Sequence, residues 1–487
     1  MTVEIMWSLH HSNGAKRPFP TAPLRLSRLD SLLREPYIAG KESAMSEQTI
    51  GVCLLGCGVV GTGVVKILTD QAELLYRRTG IRFDLRQVVV LDPAVQIAAH
   101  PEHKSLPLTT DYNAAVDDPK VQIVIELFGG TTHAGALIER ALKLGKSVVT
   151  ANKSLLALRG PELFALARKH NACIAFEASC GGGIPIIDAL QRGLIANRID
   201  AIVGIVNGTC NVILTRMTQN GWSYQQALAE AQKLGFAEAN PTLDVSGRDA
   251  AQKLVVLASL AFNARVSESD LHVEGIDTLS PIDIHYAGEL GYVIKLLAIG
   301  ERGKDGRLAL RVHPTLVHKS DVLAEVGGSF NAISVYGNSL GHALFYGRGA
   351  GQLPTASAVV ADLVGVATGL TPLAFKKLNI FPDSAQPASM LPIDQLQSRY
   401  YLRLTARDLP GVMAQVTQAL GQQEISLSAI RQHEGEDSKF VPVVITTHIA
   451  KEGAIRAALK TIDALPTIQA PTVCLRVVDQ PKEFANA

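Results

Sequence analysis

Thr49-Ile-Gly-Val-Cys-Leu-Leu-Gly56-Cys-Gly58-Val-Val-Gly61 is the stretch that decides the fold of this chain. Thr49–Leu55 is short and apolar, as suits a parallel strand buried on both faces. It passes directly into G-x-G-x-x-G and then into Val64, Val65, Ile67 and Leu68, spaced as one face of a helix. In this strand–turn–helix setting the first glycine permits a tight turn and the second lets the backbone approach a pyrophosphate. The third lets the helix pack on the strand, and the N–H groups of its first turn face the phosphates. Gly56, Gly58, Val59, Val60 and Gly61 are therefore candidate dinucleotide ligands.

Working outward, a second strand is expected at Gln87–Leu91, ending at Asp92. That acid is placed either to take the adenosine ribose hydroxyls or to cap the strand end. Its distance from Gly61 exceeds the ~20 residues usual for the fingerprint, and the excess is assigned to a helix and loop around Glu73–Asp84. A strand at Val121–Leu127, a helix at Thr132–Leu144 and a strand at Ser147–Thr150 continue the alternation, which predicts a doubly wound α/β sheet.

The whole chain has 487 residues, room for about three domains at ~150 each. With 47% apolar and 19% charged residues it is not disordered throughout. Lysine and arginine number 46 against 45 acids, so a nucleic-acid backbone would meet no basic excess. No apolar run approaches the ~18 residues of a membrane span. Six cysteines without C-x-x-C spacing argue against structural zinc or disulfides and suit a cytoplasmic location. Residues 1–48 mix Pro, Arg, His and Ser without periodicity. They are expected to be a disordered extension or a start placed too early, with Met45 as a natural beginning.

Ser147–Thr150 is followed by Ala151-Asn152-Lys153. A lysine just past the carboxyl end of a parallel strand points into the ligand crevice of such sheets, or is simply a solvated loop residue. The densest polar segment is Gly235–Lys253, a loop running into a helix. Asp249 and Lys253 stand four apart on one helical face, which by itself favours no more than a surface ion pair. Glu238, Asp244, Asp249 and a lysine together suit a small amino-acid substrate. The carboxylates would hold its ammonium group and the lysine would exchange a proton with its hydroxyl. For that, Lys253 is expected to have its pKa lowered by burial near Lys153.

From about 398 to 480 the pattern is βαββαβ, a ferredoxin-like order, behind a polar linker at 376–397. Its elements are expected at Tyr400–Ala406, Gly411–Gln422, Ser426–His433, Val441–His448, Lys451–Ile462 and Val473–Val478. Gly411 opens a helix whose free N–H groups would receive a carboxylate, or the module serves only to tether and dimerise.

Five segments in one order resemble the homoserine dehydrogenases of the long bacterial type with a C-terminal ACT domain. They are G-C-G-V-V-G at 56–61, A-N-K at 151–153, E-A-S-C-G-G-G-I-P at 177–185, G-I-V-N-G-T-C-N at 204–211 and the 235–253 segment. The resemblance runs from about Thr49 to about Val478. It implies a Rossmann-type domain over 49–180, completed by 345–375, with Gly351 returning to the nicotinamide. An α+β substrate and dimerisation domain at 181–344 and an ACT regulatory domain at 398–480 would follow. The implied activity is reversible NAD- or NADP-dependent interconversion of L-homoserine and L-aspartate 4-semialdehyde by a homodimer or homotetramer, without nucleic acid or membrane.

By the same resemblance Lys253 is the proton donor and acceptor, Glu238 and Asp249 bind substrate beside the Asp244 expected from the polar segment, and Lys153 joins cofactor and substrate. Sodium would be held by Glu177, Cys180, Gly182 and Ile184, and L-threonine would act at Asp408 and Gly411. Leu91 stands where many relatives carry an arginine suited to a 2′-phosphate, which leaves NAD against NADP open. The alternative is a non-catalytic amino-acid sensor, which has no need to keep Lys153, Glu238, Asp249 and Lys253 together.

Overall fold

In the computed structural model residues 48–432 and 439–478 are described. The extension expected over 1–48 lies outside them except for Gln48, as do His433 and residues 479–480. Six strands form the first sheet: β1 (Gln48–Leu55), β2 (Ile81–Val89), β3 (Leu108–Thr109), β4 (Ile123–Glu126), β5 (Ser147–Thr150) and β6 (Ile174–Ala175). All pair in parallel in the order β3-β2-β1-β4-β5-β6. This is a doubly wound sheet, whose ligand crevice opens where the order reverses, at the carboxyl ends of β1 and β4. Val52, Leu54 and Val124 are wholly buried, which is why these strands read as apolar runs without alternation.

The second strand is corrected. It runs Ile81–Val89 in register with Gln48–Leu55, so it takes in part of the stretch expected as a loop and stops short of Leu91. The inserted helix is Ala72–Thr79, closed by Gly80 in the left-handed conformation. Leu91 is 96% exposed, and Asp92 caps the helix Pro93–Ala99 through Oδ1, which accepts from the amides of Ala94 (2.8 Å) and Val95 (3.3 Å). The helix Gln352–Ala367 returns to pack against the helix Val59–Asp70 and the strands beside it.

A second sheet is built from β7 (Ile199–Ile205), β8 (His272–Val273), β9 (Tyr292–Arg302), β10 (Leu308–His318), β11 (Phe330–Gly337) and β12 (Gly341–Arg348). It runs β12-β11-β7-β9-β10, with β8 beside β10. The helices Gly208–Asn220, Arg248–Ala261 and Pro281–Glu289 lie against β9.

The C-terminal strands are β13 (Gln397–Arg407), β14 (Leu427–Gln432), β15 (Phe440–Thr447), β16 (Ala450–Lys451) and β17 (Ile468–Val478), with helices Val412–Gln422 and Glu452–Asp463. Their order β17-β13-β15-β14 is ferredoxin-like, but the sheet is not separate. β17 pairs in parallel with β10, Thr315 opposite Arg476 and Val317 opposite Val478, so the second sheet continues into the C-terminal one. Buried polar ties fix the join: Asp283 accepts from the Tyr401 hydroxyl (3.0 Å) and from Arg403 (2.6 and 3.0 Å). The stretch expected as a linker is also pinned. Phe381 is 2% exposed, its ring 4.8 Å from that of Phe375, and Arg168 pairs with Asp383 at 2.5 Å. Among the described residues no single helix is long and apolar enough to cross a membrane.

Candidate active site

The glycine-rich turn is shaped as its sequence requires. Gly56 has φ +99°, and a Cβ on Gly61 would stand 2.2 Å from the Gly56 carbonyl oxygen. Among the described residues a Cβ on Gly58 would meet nothing within 4 Å, and no side chain caps the helix that starts at Val59. Its first-turn N–H groups are therefore open toward the crevice, a cradle that fits a pyrophosphate. Beside it, Gln96 Nε2 donates to the Cys57 carbonyl (3.0 Å) and to Nδ1 of buried His103 (3.0 Å), tying the helix Pro93–Ala99 to the residue between the first two glycines. His100 and Glu102 gather with His103 there, outside the cleft described next.

A cleft of about 550 Å³ joins this turn to the second sheet. Val60, Gly351 and Thr355 line its nucleotide side, and Asn207, Asp244 and Phe236 its far side. Between them lie Lys153, Asp249 and Lys253. Asn152 caps the helix Lys153–Lys169, accepting from the Leu155 amide (3.1 Å), and this sets Lys153 at the first helical position. Gly247, at φ +81°, starts the helix Arg248–Ala261 and brings Asp249 and Lys253 onto its inner face.

Asp249 is 5% exposed and stands between the two lysines. Its Oδ2 accepts from Lys253 Nζ at 2.7 Å and its Oδ1 lies 3.2 Å from Lys153 Nζ. Lys253 Nζ also donates to the Val206 carbonyl at 2.7 Å. Burial works to raise the Asp249 pKa, but Lys253 and Lys153 together hold it at about 2. The expected lowering of the Lys253 pKa is corrected. Burial does push it down, but the touching Asp249 carboxylate outweighs burial and the net shift is upward. Lys253 therefore rests as an ammonium.

Asn207 was not singled out from the sequence, although it lies inside a quoted segment. Its Nδ2 donates to Asp244 Oδ1 and to Asp249 Oδ2, both at 2.7 Å, and its Oδ1 caps the helix Gly208–Asn220. One amide thus spaces two carboxylates. Burial raises the Asp244 pKa. Ser329 and Arg348 also line the cleft; Ser329 carries no local sequence signal, while Arg348 lies in the glycine-rich segment that ends at Gly351. Glu238 lies outside the lining, exposed two residues beyond Phe236, with its carbonyl accepting from Gln232.

Glu177 is buried one layer behind the cleft, accepting from the amides of Ile187 (2.8 Å) and Asp188 (2.7 Å). Burial raises its pKa to about 7, and Asp362, which accepts from the Glu177 amide at 2.7 Å, is pushed up too. Ile184 lines the 250 Å³ cavity that these two acids share, while Gly182 lines the cleft. Cys180 and Cys210 are buried thiols, the first pushed up to about 12, so neither offers a thiolate. In the C-terminal domain Gly411 (φ +87°) starts the helix Val412–Gln422, and Asp408 accepts from Gln432 at 3.3 Å.

Three family models match successive parts of the chain. "Homoserine dehydrogenase, NAD binding domain" matches residues 56–177, "Homoserine dehydrogenase" matches 185–364 and "ACT domain" matches 400–466. A homoserine dehydrogenase of Pseudomonas aeruginosa is 42% identical over 442 residues, 89% of this chain and 99% of the relative. Among solved structures, the homoserine dehydrogenase of Thiobacillus denitrificans aligns with TM-score 0.84 and 41% identity, covering 89% of this chain and 99% of that one. That of S. aureus aligns with TM-score 0.68 and 31% identity, covering 88% and 99%.

Proposed function

Since the chain belongs to the homoserine dehydrogenase family, NAD(P)-dependent oxidoreductases of amino-acid biosynthesis, we propose how its own residues divide the interconversion of L-homoserine and L-aspartate 4-semialdehyde. The observation that carries the proposal is the single cleft in which Lys253, Asp249, Lys153 and Asp244 meet the glycine-rich turn. The nicotinamide cofactor, when bound, takes up or gives back the hydride. Lys253 exchanges the proton at the substrate oxygen: as an ammonium it protonates the developing alkoxide, and as an amine it removes the hydroxyl proton. Asp249 holds Lys253 and Lys153 in place. Asp244 receives the substrate ammonium, helped by Glu238 reaching in from the loop of Phe236.

Gly56–Gly61 and Gly351 hold the dinucleotide, with the Asp92 oxygen not engaged in capping turned to the ribose. Glu177 fits a monovalent cation such as sodium, together with the carbonyls of Cys180, Gly182 and Ile184. The support is chemical: Glu177 and Asp362 share a cavity and, among the described residues, no cationic side chain is hydrogen-bonded to either, the Arg192 that also lines the cavity being paired with Asp188. The C-terminal domain supplies an amino-acid effector site at Asp408 and Gly411, with L-threonine as the effector. The enzyme acts in the cytoplasm as a homodimer or homotetramer through the second sheet, whose outer strand β12 leaves Leu344 and Tyr346 exposed.

The deciding assay is homoserine-dependent reduction of NAD+ and of NADP+, with and without sodium and threonine. With Leu91 in place of a basic residue, kcat/KM for NAD+ is expected to equal or exceed that for NADP+. A strong preference for NADP+ would overturn the reading of Leu91 and Asp92, and no response to threonine would remove it as effector.

Asp249→Asn tests the electrostatics of the lysine. Homoserine oxidation needs the free amine, so its kcat/KM rises with pH through the Lys253 pKa. Removing the carboxylate that holds this pKa up is expected to move the rise to lower pH. The reductive reaction, which needs the ammonium, should fail at a correspondingly lower pH. An unmoved limb in both directions would assign it to another group.

A further inference from the structure

An ion cluster outside the cleft, centred on a buried arginine and reaching the partly exposed Glu274, joins the C-terminal domain to the segment packed against the turn after Asp244. Arg476 on β17 is 3% exposed. It donates to both oxygens of Glu274 (2.9 and 3.0 Å) and to both oxygens of Glu452 (2.9 and 2.6 Å). Glu452 also receives the Tyr400 hydroxyl at 2.9 Å. Burial works to raise the Glu274 pKa, but hydrogen bonds from His272 and Arg476 leave it far below the ordinary carboxylate range. An arginine held in this forked way fixes the position of the carboxylate as well as its charge.

From Glu274 the chain runs between β10 and the turn that follows Asp244. The Glu274 amide donates to the Val312 carbonyl of β10 at 2.8 Å, and the Ile276 amide donates to the Val245 carbonyl at 2.8 Å. Between them, a Cβ on Gly275 would stand 2.4 Å from the Val245 carbonyl oxygen and 2.9 Å from the Ser246 Cα. A Cβ on Gly247 would stand 3.0 Å from the Glu274 carbonyl oxygen. Glu274–Ile276 is thus a floor in direct backbone contact with Val245–Gly247. That turn carries Asp244 on one side and opens the helix of Asp249 and Lys253 on the other, the two acids being joined by Asn207.

We propose that Glu274 and Arg476 are positioning residues of the active site: their forked pair fixes the Glu274–Ile276 floor, and the floor sets Asp244 and the first turn of the Lys253 helix. The C-terminal domain thereby becomes part of the substrate site, whatever effector it binds. The proposal rests on reading Asp244 and Asp249 as groups that face substrate. Misplacing such groups by about 1 Å costs up to ~100-fold, and loss of one anchor of the floor allows a smaller movement.

The test is Glu274→Gln in the full chain, which keeps the volume and leaves Arg476 paired with Glu452. The KM for homoserine is expected to rise about fivefold to tenfold, a fraction of the ~100-fold for a full misplacement, with the KM for the cofactor unchanged. Arg476→Lys, which keeps the charge but not the fork, should give the same signature, and Glu274→Asp should partly restore the homoserine KM. A lowered melting temperature with both KM values unchanged would overturn the proposal, leaving the pair a structural tie. So would an equal rise in both KM values. Asp244→Asn is measured alongside. If it leaves the homoserine KM unchanged while Glu274→Gln raises it, Asp244 leaves the list of substrate contacts and the floor acts through the Lys253 helix. If Asp244→Asn raises KM and Glu274→Gln does not, the positioning role fails and the reading of Asp244 stands. Should Glu274→Gln not fold, Arg476→Lys and Glu274→Asp carry the same comparison.

Discussion

Lys253→Ala is expected to lower homoserine oxidation by about 10²- to 10⁴-fold, the loss typical of a positioned acid–base group. Affinity for the reduced cofactor should be unchanged. The side chain of Lys253 is 13% exposed, and two of its three N–H bonds are spent on Asp249 and Val206, which leaves one for the cleft it lines. Alanine removes the amine and with it the donor to the Val206 carbonyl, but Asp249 keeps Asn207 at 2.7 Å and Lys153 at 3.2 Å. The fold should therefore survive, and the loss should fall on kcat. Steady-state rates, a fluorescence titration with the reduced cofactor and rescue by a small primary amine check the three parts. More than a tenth of the activity remaining would pass the proton to Lys153 and overturn the assignment.

The parts of this site that could be read in the sequence are those set by local chain geometry. The glycine turn is legible because strand, turn and helix are contiguous. Asp249 and Lys253 are legible because a spacing of four puts them on one face, and Lys153 because it follows a parallel strand. The helix at Gly411–Gln422 and the strand at Ser147–Thr150 lie where expected, to within a residue. The upper half of β2 is not legible. Arg82, Asp84 and Arg86 alternate along an edge that β3 covers for only two residues, so that half of the strand carries the polarity of a loop.

The electrostatics were beyond local reading for a different reason. The closeness of Lys153 and Lys253 points to a lowered pKa, but the sign is set by what stands between them, and Asp249 touches both. Asn207 bridges to residues 37 and 42 positions away, and Arg476 reaches a glutamate 202 positions away. No periodicity records such pairs. The first forms as the helices pack on the second sheet, the second only once that sheet and the C-terminal one have joined edge to edge through β10 and β17 into a shared sheet.

That sharing makes Asp283→Ala the substitution with the largest expected effect on stability, roughly 3–5 kcal/mol, as for removing one partner of a buried ion pair. Asp283 is wholly buried on the helix Pro281–Glu289, and alanine there leaves Arg403 without its carboxylate and the Tyr401 hydroxyl without its acceptor. Desolvation of two stranded donors costs more than the pair itself contributes. Asp283→Asn should lose less, since an amide oxygen still accepts from Tyr401. Because β10 and β17 are adjacent strands of one sheet, the C-terminal domain and the substrate domain should melt together in the native chain as a single calorimetric transition. In Asp283→Ala the join is the weakened element. The melting temperature should fall, with an early transition separating from the main one. Two transitions already present in the native protein would mean that the shared sheet does not couple the domains. A single transition unmoved by the substitution would mean that the Asp283 cluster does not hold them together.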